Sequence, residues 1–451
     1  MNKLWLLLFS VFAIVSCYAQ EGFQNISFEK ALKKAAKEHK LIFLQYDAES
    51  CAQCNDVANK AFADPELIST LSKKFIGIRI TPTNNDRIKI TKAYEMGEKS
   101  FGTLFINSDG VLIHLMQSTT SRSQDYYEEI SLAEKKLKLM AEVENLEKNY
   151  FNNADKSVQE LEKLIQTKTD LNQKTELLLT EYINIIPKDS LKSVRTIQFL
   201  ARQSPILGSK AEKQMRSDFE LFQKAWYAIE LKDRIDINNR VISKSMAVAV
   251  NERNENFAKK VAHFSAGTVS GNAASRNYNY HLMNFYFRIN DTTKYLSSAV
   301  AYYDDFSEVL ATDKMINRAD SIAKERAFRN KKVVNVQPME NGGVLKKYTA
   351  EVRMMGPEFS NTLNTAAWRF YELDKRNQYI DKALQWAIRS IEIFETPNNL
   401  DTYARLLYKT GKAEEAIKTE ERAIALSRKN GLERKEWHLI VEKMKKGAPI
   451  Q

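Results

Sequence analysis

The stretch that most limits what this chain can fold into runs from Leu41 to Phe62, LIFLQYDAESCAQCNDVANKAF. Leu41, Ile42, Phe43, Leu44 and Tyr46 make an apolar run of strand length, Asp47 to Ser50 make a short acidic turn, and Cys51-Ala52-Gln53-Cys54 opens a helix. An apolar strand passing directly into a helix commits this part of the chain to an α/β arrangement. The first thiol sits where unpaired backbone N–H groups and the positive end of the helix dipole favour a thiolate, the nucleophile of disulfide exchange. The second, three residues on, lies on nearly the same helical face and can close a disulfide with it.

The surrounding sequence supplies further elements. Ser27 to Lys40 reads as an amphipathic helix capped by Ser27, with Ala31, Leu32 and Ala35 on its inner side. Asp64-Pro65-Glu66 starts a helix to about Lys74, Phe75 to Ile80 reads as a buried strand, and Asp86 to Tyr94 as another helix. Thr103 to Ile106 and Val111 to Leu115 flank Asn107-Ser108-Asp109-Gly110, a hairpin turn with its Asp-Gly signal, and a last helix begins near Ser123.

This order, with CAQC at the strand-to-helix junction, resembles the thioredoxin fold, and more closely the thioredoxin-like domains of exported bacterial proteins. The resemblance covers about residues 24–140. It implies that Cys51 is the exposed nucleophile, that Cys54 is the buried resolving thiol, and that FGTLFINSDGVLIHL is the antiparallel hairpin facing them. The chain departs from the family at three positions. Ser50 stands where an aromatic residue usually precedes the first cysteine, Gln45 where a buried carboxylate often assists proton transfer, and Gly102 where a cis-proline precedes Thr103. In the family that proline shapes the groove in which substrate backbone pairs, so Gly102 and Thr103 are the expected substrate-groove residues.

Residues 1–19 read as an export signal, with Asn2 and Lys3 ahead of an apolar run from Leu4 to Val15 and small residues before Gln20. The chain is therefore expected to be exported and periplasmic. Ile14-Val15-Ser16-Cys17 also resembles a bacterial lipobox, which gives a lipid-anchored alternative in which membrane contact depends on lipidation of Cys17. With Cys17 in the signal, Cys51 and Cys54 are the remaining cysteines, a pair poised for chemistry rather than stapling. Three outcomes stay open for it: redox exchange, an inert degenerate pair, or half of a metal site. A zinc site wants four ligands, and His39, His114, His263, His281 and His438 are not paired at metal spacing, so neither metal nor cofactor is expected. Asp47 and Glu49 beside the thiols would oppose thiolate formation and favour a reductase-like pair.

The formal charge of +11 raises the question of nucleic acid. Lys and Glu alternate along helical stretches such as KAEEAIKTEERA, as on a solvated helix face, so nucleic-acid binding is not expected.

From about residue 141 the periodicity becomes helical alone, over 155–166, 171–185, 189–203 and 209–231, with flexible loops at 265–271 and 330–343. ALQWAIRSIEI from Ala383 and AIKTEERAIAL from Ala416 superimpose at an offset of 33 residues. A looser helix, turn, helix unit lies at 280–306. A two-helix repeat of about 34 residues, with the run LYKTGKAEEAI from Leu407, resembles the tetratricopeptide family. That resemblance implies a helical solenoid which binds proteins; Trp226, Trp368, Trp386 and Trp437, four of the five tryptophans, sit at apolar helical positions, as packing residues do.

The expected architecture is an α/β thioredoxin-like domain at 20–140, an irregular helical-repeat region at 141–335 and tetratricopeptide-like repeats at 336–451. The expected function is an exported thiol-disulfide oxidoreductase. It reduces protein disulfides through Cys51 and Cys54, docks a protein client on the repeats, and is re-reduced by a membrane-linked electron donor. The alternative is a non-catalytic protein-binding scaffold with a degenerate thioredoxin-like domain.

Overall fold

Leu41–Tyr46 (β1) is buried along its whole length, so both of its faces have to be covered. The computed structural model that shows this describes residues 22–49, 52–94, 96, 101–153, 157–329, 332–338, 344–349, 352, 354–431 and 434–450, with backbone alone at 52–53, 332–338 and 344–349. The expected signal with Cys17 lies outside the described residues, as do Ser50 and Cys51. The chain is mainly helical, with a small four-stranded mixed sheet near its start and a helical part after it. It divides into two compact units between Pro187 and Lys188.

The first unit begins with α1 (Phe28–Glu38), whose N-cap Ser27 accepts from the Lys30 amide and which buries Phe28, Ala31 and Ala35. After β1 come α2 (Ala52–Ala61), α3 (Pro65–Lys74), β2 (Phe75–Ile80), α4 (Arg87–Ala93), β3 (Gly102–Ile106), β4 (Leu112–Met116), α5 (Ser123–Asn152), α6 (Val158–Asp170) and α7 (Glu176–Ile185). The sheet order is β2-β1-β3-β4, with β1 parallel to β2 and antiparallel to β3, and β3 antiparallel to β4. Ile42, Leu44 and Tyr46 pack with α1 and α4 on one face; Leu41 and Phe43 pack with α2, α3 and α5 on the other. The outer edge of β2 is closed by a preceding segment, where the Gln24 amide donates to the Gly77 carbonyl at 2.7 Å. A Cβ at Gly77 would lie 1.9 Å from the Gly22 carbonyl oxygen, so this close approach requires glycine.

The second unit holds α8 (Lys188–Leu191), α9 (Val194–Arg202), α10 (Lys210–Met215), α11 (Phe219–Tyr227), α12 (Leu231–Asn251), α13 (Glu255–Ala266), α14 (Asn272–Arg288), α15 (Thr292–Asp305) and α16 (Asp313–Arg329). A hairpin of β5 (Lys332–Pro338) and β6 (Val344–Thr349) follows, then α17 (Gly356–Leu373), α18 (Ile380–Ile393), α19 (Pro397–Lys409), α20 (Ala413–Lys429) and α21 (Lys435–Lys445). One apolar core runs from α12 to α21, with Ala366, Ala367, Ala383, Ala387, Ala404 and Ala416 fully buried where helices meet. Trp386 is also buried there, its indole N–H donating to Asp304 at 3.1 Å.

Two sequence expectations are corrected here. The region after residue 141 is not helical alone, since 332–349 contains a β-hairpin where a loop is expected. Val333, Val334 and Val336 are β-branched, and Asn341-Gly342-Gly343 is a turn sequence; their strand preference outweighs the loop signals of Pro338 and the glycines. The expected helices at 189–203 and 209–231 are each divided. Ser193 and Asp218 turn their side chains onto the Thr196 and Leu221 amides and start new helices inside a continuous apolar period.

Glu420 is fully buried on α20, at the position that Ala387 fills in the matching stretch 33 residues earlier. Its carboxyl oxygens meet no donor among the described residues, and its charged neighbours are Asp401 and Arg405 of α19, ion-paired with each other at 2.8 Å. Burial first, and then the Asp401 charge, push the Glu420 carboxyl up to about 9, against a smaller opposing effect of Arg405. Glu420 is thus a neutral acid at neutral pH, able to donate its proton to Asp401. An unfolded Glu420 titrates near its ordinary 4.5, so the folded state holds the extra proton between that value and about 9. The stabilisation is complete below this window and is lost as the pH rises through it. Glu420→Gln keeps the shape and removes the titration. Between about pH 5 and about pH 9 its melting temperature should fall by several degrees less than that of the wild type. Parallel melting curves across that range would contradict the assignment.

Candidate active site

The strand β1 delivers the junction residues to one end of the sheet. The structure places Cys54 in the first turn of α2, half-buried and disulfide-bonded; the other two cysteines of the chain, Cys17 and Cys51, lie outside the described residues. Cys54 precedes Ala58 by one turn and Ala61 by two. Both alanines are buried against the sheet, so Cys54 continues the inward stripe of α2.

The loop between β1 and α2 is held by side chains that sequence reasoning did not single out. Asn55, in the first turn of α2, makes a reciprocal pair with Ala48. Its Oδ1 accepts from the Ala48 amide at 2.8 Å and its Nδ2 donates to the Ala48 carbonyl at 3.0 Å. Arg79 on β2 donates through Nε to both carboxylate oxygens of the buried Asp47, at 3.1 and 2.9 Å, and through Nη1 to Asn59 of α2 at 2.7 Å. Arg87 of α4 donates to the Asp47 carbonyl at 3.1 Å, stacks 4.3 Å above the Tyr46 ring and stands 3.8 Å from the Glu49 carboxylate. A detectable signal for Arg79 existed, since it is the one charged residue in the otherwise apolar strand FIGIRI.

These pairs change the electrostatics expected of the junction. Asp47 and Glu49 are not free negative charges beside the thiols, since each faces a guanidinium. Their opposition to a thiolate is correspondingly reduced.

Gly102 and Thr103 come to the same end of the sheet, opposite Tyr46 and Gln45 in the β1–β3 register. Gln45 is fully buried; its Oε1 accepts from the Thr103 hydroxyl at 2.9 Å, while its Nε2 has no acceptor among the described residues. Gly102 has φ +140, and a Cβ there would lie 2.0 Å from the Met116 carbonyl oxygen of β4. The position therefore excludes every other residue in this backbone conformation.

His114 is occupied elsewhere. Its Nδ1 accepts from Lys136 at 2.9 Å, its Nε2 bonds to Glu129, and its ring lies 5.7 Å from Phe105. An ammonium donating to Nδ1 fixes the tautomer with the proton on Nε2, which makes His114 a strut between β4 and α5. Among the described residues no group of three or more His, Cys, Asp or Glu is placed to hold a metal ion, and no helix is long and apolar enough to cross a membrane.

In comparisons with known proteins, no family model matches the chain and no curated protein matches it.

Gly102→Ala should destabilise the first unit by at least ~2 kcal/mol, since it combines a strained backbone angle with a collision against main chain. Urea unfolding followed through that unit measures this. An unchanged midpoint would show that β3 and β4 separate freely at this end.

Proposed function

We propose that the first unit is thioredoxin-like and exchanges disulfides with protein clients, and that the second is a tetratricopeptide-like solenoid which docks them. The observation that carries this is the disulfide-bonded Cys54 in the first turn of α2, at the sheet end where β1 meets Gly102 and Thr103. The strand order, with one parallel and two antiparallel pairings and helices on both faces, supports the same reading.

In the exchange, the Cys51 thiolate attacks one sulfur of a client disulfide. That bond breaks, a mixed disulfide forms, and the other client sulfur leaves as a thiolate that takes a proton from water. Cys54, deprotonated, then attacks the Cys51 sulfur; the second client thiol is released and the chain is left with its own disulfide. Two electrons have passed from the chain to the client. A membrane-linked dithiol donor returns them, as an exported, periplasmic or lipid-anchored protein requires in an oxidising compartment. Within this scheme Asn55, Arg79 and Arg87 are positioning residues that fix the β1–α2 loop.

Two measurements test the proposal. Equilibration with glutathione buffers and counting of free thiols should give one two-electron transition, with a potential in the range of roughly −120 to −270 mV found for thioredoxin-like pairs. Cys54→Ser should trap clients as mixed disulfides that a reductant releases, and Cys51→Ser should trap none. Failure of the pair to oxidise in any buffer, or absence of trapped clients with Cys54→Ser, would leave the scaffold reading, with the helical unit as the functional part.

A further inference from the structure

The last helices of the second unit carry a groove that the thiol chemistry does not use. Tyr371 of α17 and Tyr408 of α19 point their hydroxyls at the segment that follows α21. Tyr408 donates to the Ala448 carbonyl at 2.9 Å and Tyr371 to the Ile450 carbonyl at 3.1 Å, so the two bonds straddle Pro449. Trp368 stands one turn before Tyr371 with the rings 5.3 Å apart, and Arg405 lies 5.3 Å above the indole. Lys409 fixes the end of α17 by donating to the Tyr371 and Asp374 carbonyls at 3.0 and 2.8 Å. The aromatic wall is thus held by hydrogen bonds at the end of α17, with Lys409 itself lining the groove.

Proline has no N–H and holds the residue before it in an extended conformation, so an Ala-Pro-Ile stretch presents carbonyls with no internal partner. Tyrosine hydroxyls on an aromatic surface complement such a stretch. The segment fills only part of the space. A cavity of about 670 Å³ remains between Trp368, Tyr371, Tyr408 and the edge formed by Pro449 and Ile450, with the charged Glu372, Lys375 and Lys409 on its rim, within the range of ligand sites. Pro449 is exposed and Ile450 only half-buried, so the segment is lightly held.

We propose that the groove between α17 and α19 is a recognition site for extended, proline-containing segments of a partner protein, and that Ala448–Ile450 is its occupant in cis. The partner stretch has a small residue before the proline and an aliphatic residue after it, and carries no charge at these three positions. Because the cis segment is tethered, its effective concentration is high and a partner has to displace it. This rests on the docking half of the proposed function and not on the thiols.

The test uses the full chain and a fluorescein-labelled synthetic peptide, KKGAPIQ, read by fluorescence anisotropy. Ile450→Asp loosens the cis segment and should bind the peptide at least tenfold more tightly than the wild type. Adding Tyr371→Phe and Tyr408→Phe, which keep the rings and remove the donors, should reverse the gain at least tenfold, and a peptide with alanine for proline should bind equally poorly. A folded Ile450→Asp chain that binds no better than the wild type, or binding indifferent to both hydroxyls, overturns the proposal. If Ile450→Asp does not fold, the wild-type chain with millimolar unlabelled peptide should show a tryptophan emission shift that Trp368→Phe abolishes; absence of the shift also overturns it. Cys51→Ser should bind the peptide unchanged, so failure here and failure of disulfide exchange are separately visible.

Discussion

Burial of β1 on both faces is the constraint from which the first unit follows. A strand whose side chains face apolar layers on either side has to lie in the middle of a sheet, with helices above and below it, and the chain supplies α1 and α4 for one layer and α2, α3 and α5 for the other. The strand ends in polar residues, Gln45 and Asp47, that remain buried. A buried carboxylate requires a partner, and Arg79 of the neighbouring strand provides one while also reaching Asn59 of α2. The same arginine therefore satisfies the end of the strand and ties α2 to it, while Asn55 bonded to Ala48 holds the helix's first turn. The position of Cys54 is a consequence of core packing as much as of local helix preference.

How much of this was legible in sequence depended on whether a residue's role was set nearby or at a distance. The strands at Leu41 and Phe75 and the helix capped by Ser27 were readable because apolar period and cap lie within one segment. The pairing of Asp47 with Arg79 was not, since it spans 32 residues and depends on the register that places β2 beside β1. Taken locally, Asp47 and Glu49 are uncompensated charges; in the folded chain each faces an arginine. Gly102 was visible as a departure, and its cause is a carbonyl on β4 that no local pattern contains. The divided helices after Pro187 failed for a related reason. Ser193 and Asp218 read as polar residues on an amphipathic period until their side chains are seen to cap new starts.

The helical unit shows how a buried acid is accommodated where a methyl group stands 33 residues earlier in the matching stretch. Ala387 and Glu420 occupy equivalent positions, one filling a close helix contact with a methyl group and the other with a carboxyl held neutral by burial. The acid is accommodated because α19 brings Asp401 and Arg405 to the same place, and Arg405 in turn lies over Trp368. One buried polar cluster is therefore mechanically connected to the aromatic wall of the α17–α19 groove. An apolar residue at 420 would satisfy the core locally, but would leave the Asp401–Arg405 pair without the group that shares its burial.

If the chain exchanges disulfides, the choice of client cannot reside in the sulfur chemistry itself, because the bond made and the bond broken are of the same kind whichever client is attacked. Discrimination then comes from non-covalent contacts, either at the sheet end or on the helices. Gly102 offers little at the sheet end, since a residue without a side chain adds no apolar surface and its backbone is committed to a close approach with Met116. The helical unit offers aromatic surface, hydroxyl donors and a segment that already uses them. A cis occupant turns that surface into a threshold, because weak and non-complementary peptides lose to the tethered segment while those that match its proline chemistry replace it. Selectivity of this kind costs affinity for every partner and rejects most of them, as a thiol reagent facing many disulfides would require.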